Sequence, residues 1–323
     1  MAALATACDL GDGVQPEPPP ELRVVRWFPE DGQGAECAAS DETCGVPRDS
    51  RIRLEFDRPL LPVTATRQSL GLYTRIPQLG GPFLLPHYDL FDRSVTYTMS
   101  GWLLPGTLYQ IDLPRASSSV LGFRSFDEAA LAADQTTHIS FVSSKSPGAP
   151  AAPALPVPDC ADVVKLLVRS CSGGCCHDGS APAAGLRLDS EDGLVTTAIR
   201  RVARQTDRGN TWAAVQVNPA RFGTAMARIA PGEPFSSYLA YKLLLRPENL
   251  ENCRGPDCVW DDFAAAAPCK PIDAAESQRL RDWFVQGEPM PPSSEACGEP
   301  APPLDCGSVR AIEAWITAGA ACE

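Results

Sequence analysis

The stretch Lys145-Ser146-Pro147-Gly148-Ala149-Pro150-Ala151-Ala152-Pro153-Ala154-Leu155-Pro156-Val157-Pro158 divides the chain. Its prolines fix an extended backbone and remove donors, and its small residues cannot build a core, so it reads as a linker. The residues on its two sides follow different periods. Before it, at 23–144, apolar residues alternate as they do in strands; after it, at 159–323, they recur as they do in helices. The fold class follows as multidomain, all-β and then mostly α.

In the first part, Ile52, Leu54 and Phe56 alternate with Arg51, Arg53, Glu55 and Asp57. Val95, Tyr97 and Met99 alternate with threonines, Tyr109, Ile111 and Leu113 with Gln110 and Asp112, and Ile139 and Phe141 close the series. Strands with one buried face and Pro/Gly turns between them predict a β-sandwich. Cys37 and Cys44 are close enough in sequence to close a local disulfide. In the second part, Val163, Val164, Leu166, Leu167 and Val168 form an apolar run before Cys171. Asp273 with Glu276 predicts a capped helix carrying Leu280, Trp283 and Phe284 and stopped by Gly287. Ser308 predicts the start of a last helix with Val309, Ile312, Trp315 and Ile316 inward and Gly319 at its end.

Composition narrows the function. The chain has 323 residues, 44% hydrophobic and 21% charged, which is globular material long enough for two cores. A net charge of −12 argues against nucleic acid, whose phosphates need a basic surface. Thirteen cysteines point to an oxidising compartment, disulfides, metal or a covalent cofactor. With three histidines, no phosphate loop and no H-E-x-x-H, no enzyme chemistry is expected; His87 and His138 read as structural. Asp261-Asp262 and Glu191-Asp192 read as solvated loop charges.

Ala5-Thr6-Ala7-Cys8 resembles a bacterial lipobox, in which the cysteine is lipidated after cleavage. That resemblance implies Cys8 as a lipid site, residues 9–22 as a Pro-rich tether, and membrane attachment through the lipid only. Seven residues precede Cys8, without a basic or full apolar region, so the reading requires an upstream start; the alternative is a chance cysteine among small residues.

The chemically informative string is Cys171-Ser172-Gly173-Gly174-Cys175-Cys176-His177-Asp178-Gly179. Covalent haem needs two thiols to add to its vinyl groups and a histidine directly after the second thiol. Cys176-His177 supplies that adjacency. Gly173 stands where the first thiol of C-x-x-C-H would be, and Cys171 gives the longer C-x-x-x-x-C-H, with Gly173 and Gly174 freeing the backbone. Disulfides involving Cys171, Cys175 and Cys176, or zinc held by those three and His177, share the same residues. Cys253 and Cys258 flank a polar loop and are expected to close it; Cys160, Cys269, Cys297, Cys306 and Cys322 read as staples whose pairing the sequence leaves open.

Gly185-Leu186-Arg187-Leu188-Asp189, then Pro231 to Leu243, then Gly287-Glu288-Pro289-Met290-Pro291-Pro292, then Ala314 to Ala320 follow the motif in order. With it, they resemble the cytochrome-c-like domains of planctomycete and myxobacterial secreted proteins. That resemblance implies thioethers at Cys171 and Cys176, axial ligands His177 and Met290, haem c as cofactor, and single-electron transfer with an unidentified redox partner protein. Met290 as a gap-filling loop residue is the alternative. Trp27-Phe28-Pro29, Val46 to Ser50, Phe56 to Leu60 and Leu104 to Tyr109 resemble pieces of bacterial Ig-like domains of the SbsA type, which implies an Ig-like sandwich serving as spacer or docking module. The whole then reads as an envelope-anchored cytochrome; a haem-free, disulfide-held binding or structural lipoprotein is the competing expectation.

Overall fold

A computed structural model describes residues 19–38, 40–74, 82–117, 121–148, 154–172, 176–179, 182–203, 221–253, 258–292 and 301–322. Cys8, Cys175 and Cys297 lie outside them. Seven strands come first: β1 Val24–Phe28, β2 Ile52–Phe56, β3 Gly71–Thr74, β4 Leu84–Asp89, β5 Ser94–Met99, β6 Leu108–Asp112 and β7 His138–Val142. They form a four-stranded sheet, β1-β2-β5-β4, and a three-stranded sheet, β3-β6-β7, antiparallel throughout. The alternation works as expected. Ile52, Leu54 and Phe56 are buried in β2, Val95 and Tyr97 in β5, Tyr109 and Ile111 in β6, Ile139 and Phe141 in β7. Apolar faces of both sheets join one buried cluster, where Phe56 and Phe123 meet at 4.9 Å and Tyr109 stacks on Phe141 at 5.4 Å. Tyr109 also reaches back over the preceding turn, its hydroxyl accepting from Leu104 N–H at 2.8 Å.

The second half carries α1 Cys160–Cys171, α2 Glu191–Thr197, α3 Tyr238–Leu244, α4 Asp261–Ala266, α5 Ala274–Trp283 and α6 Cys306–Thr317. In α1 Val163 and Leu167 are buried while Val168 is exposed, so the apolar run is a stripe rather than a core segment. Asp273 caps α5 through Glu276 N–H, but α5 ends at Trp283, and Gly287 (φ +72°) turns the loop beyond it instead of stopping the helix. The start of α6 also differs from expectation. Asp305 is its cap and accepts from Ser308 N–H at 2.8 Å, placing Ser308 inside the first turn. The acidic pairs Asp261-Asp262 and Glu191-Asp192 are first-turn residues of α4 and α2, where they complement the helix dipole, rather than loop charges. Asp305→Ala should lower unfolding free energy by about 1 kcal/mol, the usual value of an N-cap, in urea titrations of the full chain.

The halves interlock. One buried cluster runs through both, with Tyr88 beside Phe235 at 5.9 Å and Phe126 edge-on to Trp283 at 6.3 Å. Charges cross the same seam. Lys270 Nζ lies 2.6 Å from Glu55 Oε2 and 3.0 Å from Asp92 Oδ1, and Arg310 reaches Asp89 Oδ1 at 2.7 Å. A freely pivoting spacer would not bury such contacts, so the linker joins packed bodies rather than swinging ones.

Candidate functional site

A cavity of about 470 Å³ opens between α3, the segment 184–188 and the loop after α5. His177 and Met290 both line it, together with Leu186, Leu188, Ile229 and Leu239. Two of the residues proposed from sequence, separated by more than a third of the chain, therefore share one largely apolar chamber.

His177 is held by its neighbours on both sides. Its N–H donates to Cys171 O at the end of α1 (3.2 Å), and its carbonyl accepts from Leu188 N–H (2.9 Å). The Gly185-Leu186-Arg187-Leu188 segment thus positions the histidine. Nδ1 sits 3.1 Å from Leu186 O. A carbonyl only accepts, so Nδ1 carries the proton and Nε2 keeps its lone pair, the tautomer a metal-ligating imidazole uses. The ring is 6% exposed, and burial lowers its pKa, which keeps it neutral at neutral pH.

Met290 rides on a loop fixed through its backbone. Its N–H donates to Lys242 O at 3.1 Å and its carbonyl accepts from Asn249 Nδ2 at 2.7 Å. Met226, the other methionine of this region, is buried but does not line the cavity. Lys242 and Arg228 add two cations to the wall. Lys242 Nζ donates to Gln286 O at 2.7 Å and to Glu288 O, and burial lowers its pKa to about 8. Arg228 holds the carbonyls of Ala184 and Thr197, each at 2.6 Å, and Gly185 at 3.0 Å.

Four disulfides join described cysteines: Cys37–Cys44 and Cys253–Cys258, both expected, and Cys160–Cys322 and Cys269–Cys306, which the sequence left open. Cys171 and Cys176 are the free cysteines among the described residues. Cys171 closes α1 and is buried, which pushes its thiol up to about 12; nearby Cys176 adds to that. Neither lines the cavity, although Cys176 directly precedes His177, which does. The zinc alternative includes Cys175 and so lies partly outside the described residues. Among them, the one grouping of three potential ligand atoms is Cys253, Cys258 and Asp261, and its two sulfurs are already bonded to each other.

His87 and His138 are exposed on β4 and β7, and His138 Nδ1 contacts Asp112 Oδ1 at 2.6 Å. Lys242, Arg246 and Asn249 did not stand out in the sequence. Their signal is a Lys, an Arg and an Asn within Lys242-Leu243-Leu244-Leu245-Arg246-Pro247-Glu248-Asn249-Leu250, a leucine-rich run that buries all three. No helix among the described residues is long and apolar enough to cross a membrane.

No family model matches the chain, and no curated protein matches it. Among solved structures, it is similar to the N-terminal part of the bacterial S-layer protein SbsC at 13% identity and a TM-score of 0.26, covering 41% of this chain and 25% of that one. The S-layer protein rSbsC(31-844) shows 12% identity and a TM-score of 0.25, covering 35% and 15%. The chain thus spans a quarter or less of these structures, and a likeness at this level carries neither fold nor function.

Proposed function

We propose that the chain is an extracytoplasmic, envelope-located c-type cytochrome whose helical half holds haem through Cys171 and Cys176, with His177 and Met290 as the axial pair. The observation that carries this reading is the cavity lined by both His177 and Met290. The imidazole tautomer leaves Nε2 free to ligate, and the two thiols the attachment needs are the ones outside the described disulfides. Haem held there would supply a one-electron couple, and ligation by the Met290 thioether together with the His177 imidazole would favour the ferrous state. The protein's own part is to hold the imidazole neutral, to fix the methionine loop and to keep apolar side chains around the site. Disulfides fit the oxidising compartment, and Cys8 is the proposed lipid anchor.

The sandwich is read as Ig-like. Its strand order, β1-β2-β5-β4 and β3-β6-β7, is the order of the ABED and CFG sheets, and Tyr109 near the start of the sixth strand, bonded back to Leu104, fits the tyrosine corner. Its role is a platform packed on the helical half.

A haem-free, disulfide-held scaffold is the second reading. In its favour, Cys171 is buried and neither thiol lines the cavity. Expression of the full chain in the periplasm of a host with c-type maturation, followed by a denaturing gel stained for haem peroxidase, separates the two. The expected result is a stained band at the chain's mass; a folded but unstained product leaves the scaffold reading standing.

A further inference from the structure

The methionine loop contains Pro291 and Pro292, which have no N–H to donate, so the backbone there must be anchored largely through its carbonyls. Buried side chains from one stretch do this. Arg246 Nη1 donates to Pro291 O at 2.8 Å and to Ala301 O at 3.1 Å. Asn249 is fully buried and uses both ends of its amide. Nδ2 donates to Met290 O at 2.7 Å and to Leu243 O at 3.0 Å, while Oδ1 accepts from Leu304 N–H at 3.0 Å. One side chain therefore ties the end of α3, the carbonyl of Met290 and the segment leading into α6 to a single point. An apolar residue could fill the same space without bonding any of these groups, and an unbonded amide here would be unfavourable.

We propose that Asn249 is a positioning residue that fixes Met290 as an iron ligand, an inference that rests on the cytochrome reading above. Without its two donors, the loop carbonyl at Met290 loses its buried partner, the helix carbonyl at Leu243 keeps the longer bond from Arg246 N–H at 3.3 Å, and the thioether detaches more often. An external ligand for the iron then competes more easily, because its apparent affinity scales with the fraction of time the position is open.

The test uses the full chain produced with c-type maturation, comparing the parent, Asn249→Asp and Met290→Ala. Asn249→Asp keeps the shape and the acceptor for Leu304 N–H but replaces the two N–H donors with at most one O–H, so the Met290 and Leu243 carbonyls can no longer both be bonded by it. Imidazole is titrated into the ferric protein, followed by absorption. Asn249→Asp should tighten imidazole binding by about tenfold, towards the value of Met290→Ala. A purely structural role would lower the thermal midpoint yet leave imidazole affinity alone. A rise of less than about threefold, in a variant that still stains for haem, overturns the proposal. If Asn249→Asp does not accumulate, the uncharged Asn249→Ser is judged by the same limits. A parent chain that carries no haem overturns both this inference and the reading beneath it, whereas a haem-loaded parent with an indifferent Asn249 overturns this inference alone.

Discussion

Replacing both Cys171 and Cys176 with alanine should abolish the haem stain completely, while Cys171→Ala or Cys176→Ala alone should leave a stained band with one thioether and a shifted absorption maximum. The asymmetry comes from chemistry and position. Each thioether is an independent covalent bond, so one suffices to survive a denaturing gel. Cys176 adjoins His177 in sequence, and Cys171 O accepts from His177 N–H, so both cysteines belong to the structure that places the imidazole. The double variant keeps the four described disulfides and should retain its helical circular dichroism, which separates loss of attachment from loss of fold. A double variant that still stains would show that the covalent site lies elsewhere in the chain.

Arg310→Met should lower unfolding free energy by about 3 kcal/mol, because it leaves two half-buried carboxyl groups and two carbonyls without their shared donor rather than removing a balanced pair. Arg310 is 2% exposed and its Nη1 lies 2.7 Å from Asp89 and 2.6 Å from Glu313, while Nε and Nη2 bond Ala267 O and Pro268 O. One guanidinium serves two acids. Burial and then Asp89 push the Glu313 carboxyl from 4.5 up to about 7, with Arg310 opposing the shift. The folded state therefore holds a proton on Glu313 that the unfolded state has released, between about pH 4.5 and pH 7. Its contribution to stability falls as pH rises through that window and is level above it. Glu313→Gln should flatten this part of the stability profile, read from urea midpoints at several pH values; an unchanged slope would mean another group titrates there.

The sequence made some parts of this molecule plain and hid others for physical reasons. Strands β2, β5, β6 and β7 bury one face each, so their alternation is visible. Strand β1 is an edge whose burial does not alternate, and β4 carries Pro86, tolerated because β4 is also an edge. Neither announces itself. The start of α6 is hidden because Asp305 and Ser308 are both plausible caps, and only the hydrogen bond from Ser308 N–H to Asp305 decides between them. The stop of α5 is hidden because Gly287 at φ +72° would suit a helix end but turns the loop beyond it. At the candidate site, Cys171, Cys176, His177 and Met290 carry chemistry that a local string can suggest. Asn249 and Arg246 matter through partners 41 and 45 positions away, and no local pattern records such contacts.

The bond between Cys160 and Cys322 joins the first residue of α1 to the segment beyond α6, with Cα atoms 5.1 Å apart. Tension applied along the chain would enter the helical half at Cys160 and leave at once through sulfur to Cys322. The 162 positions that separate them are thus removed from the load path, withholding about 550 Å of extended chain that pulling could otherwise release. The contacts across the seam, Lys270 to Glu55 and Arg310 to Asp89, would still carry load into the helical half, but that length of chain could not be released until the one bond was reduced.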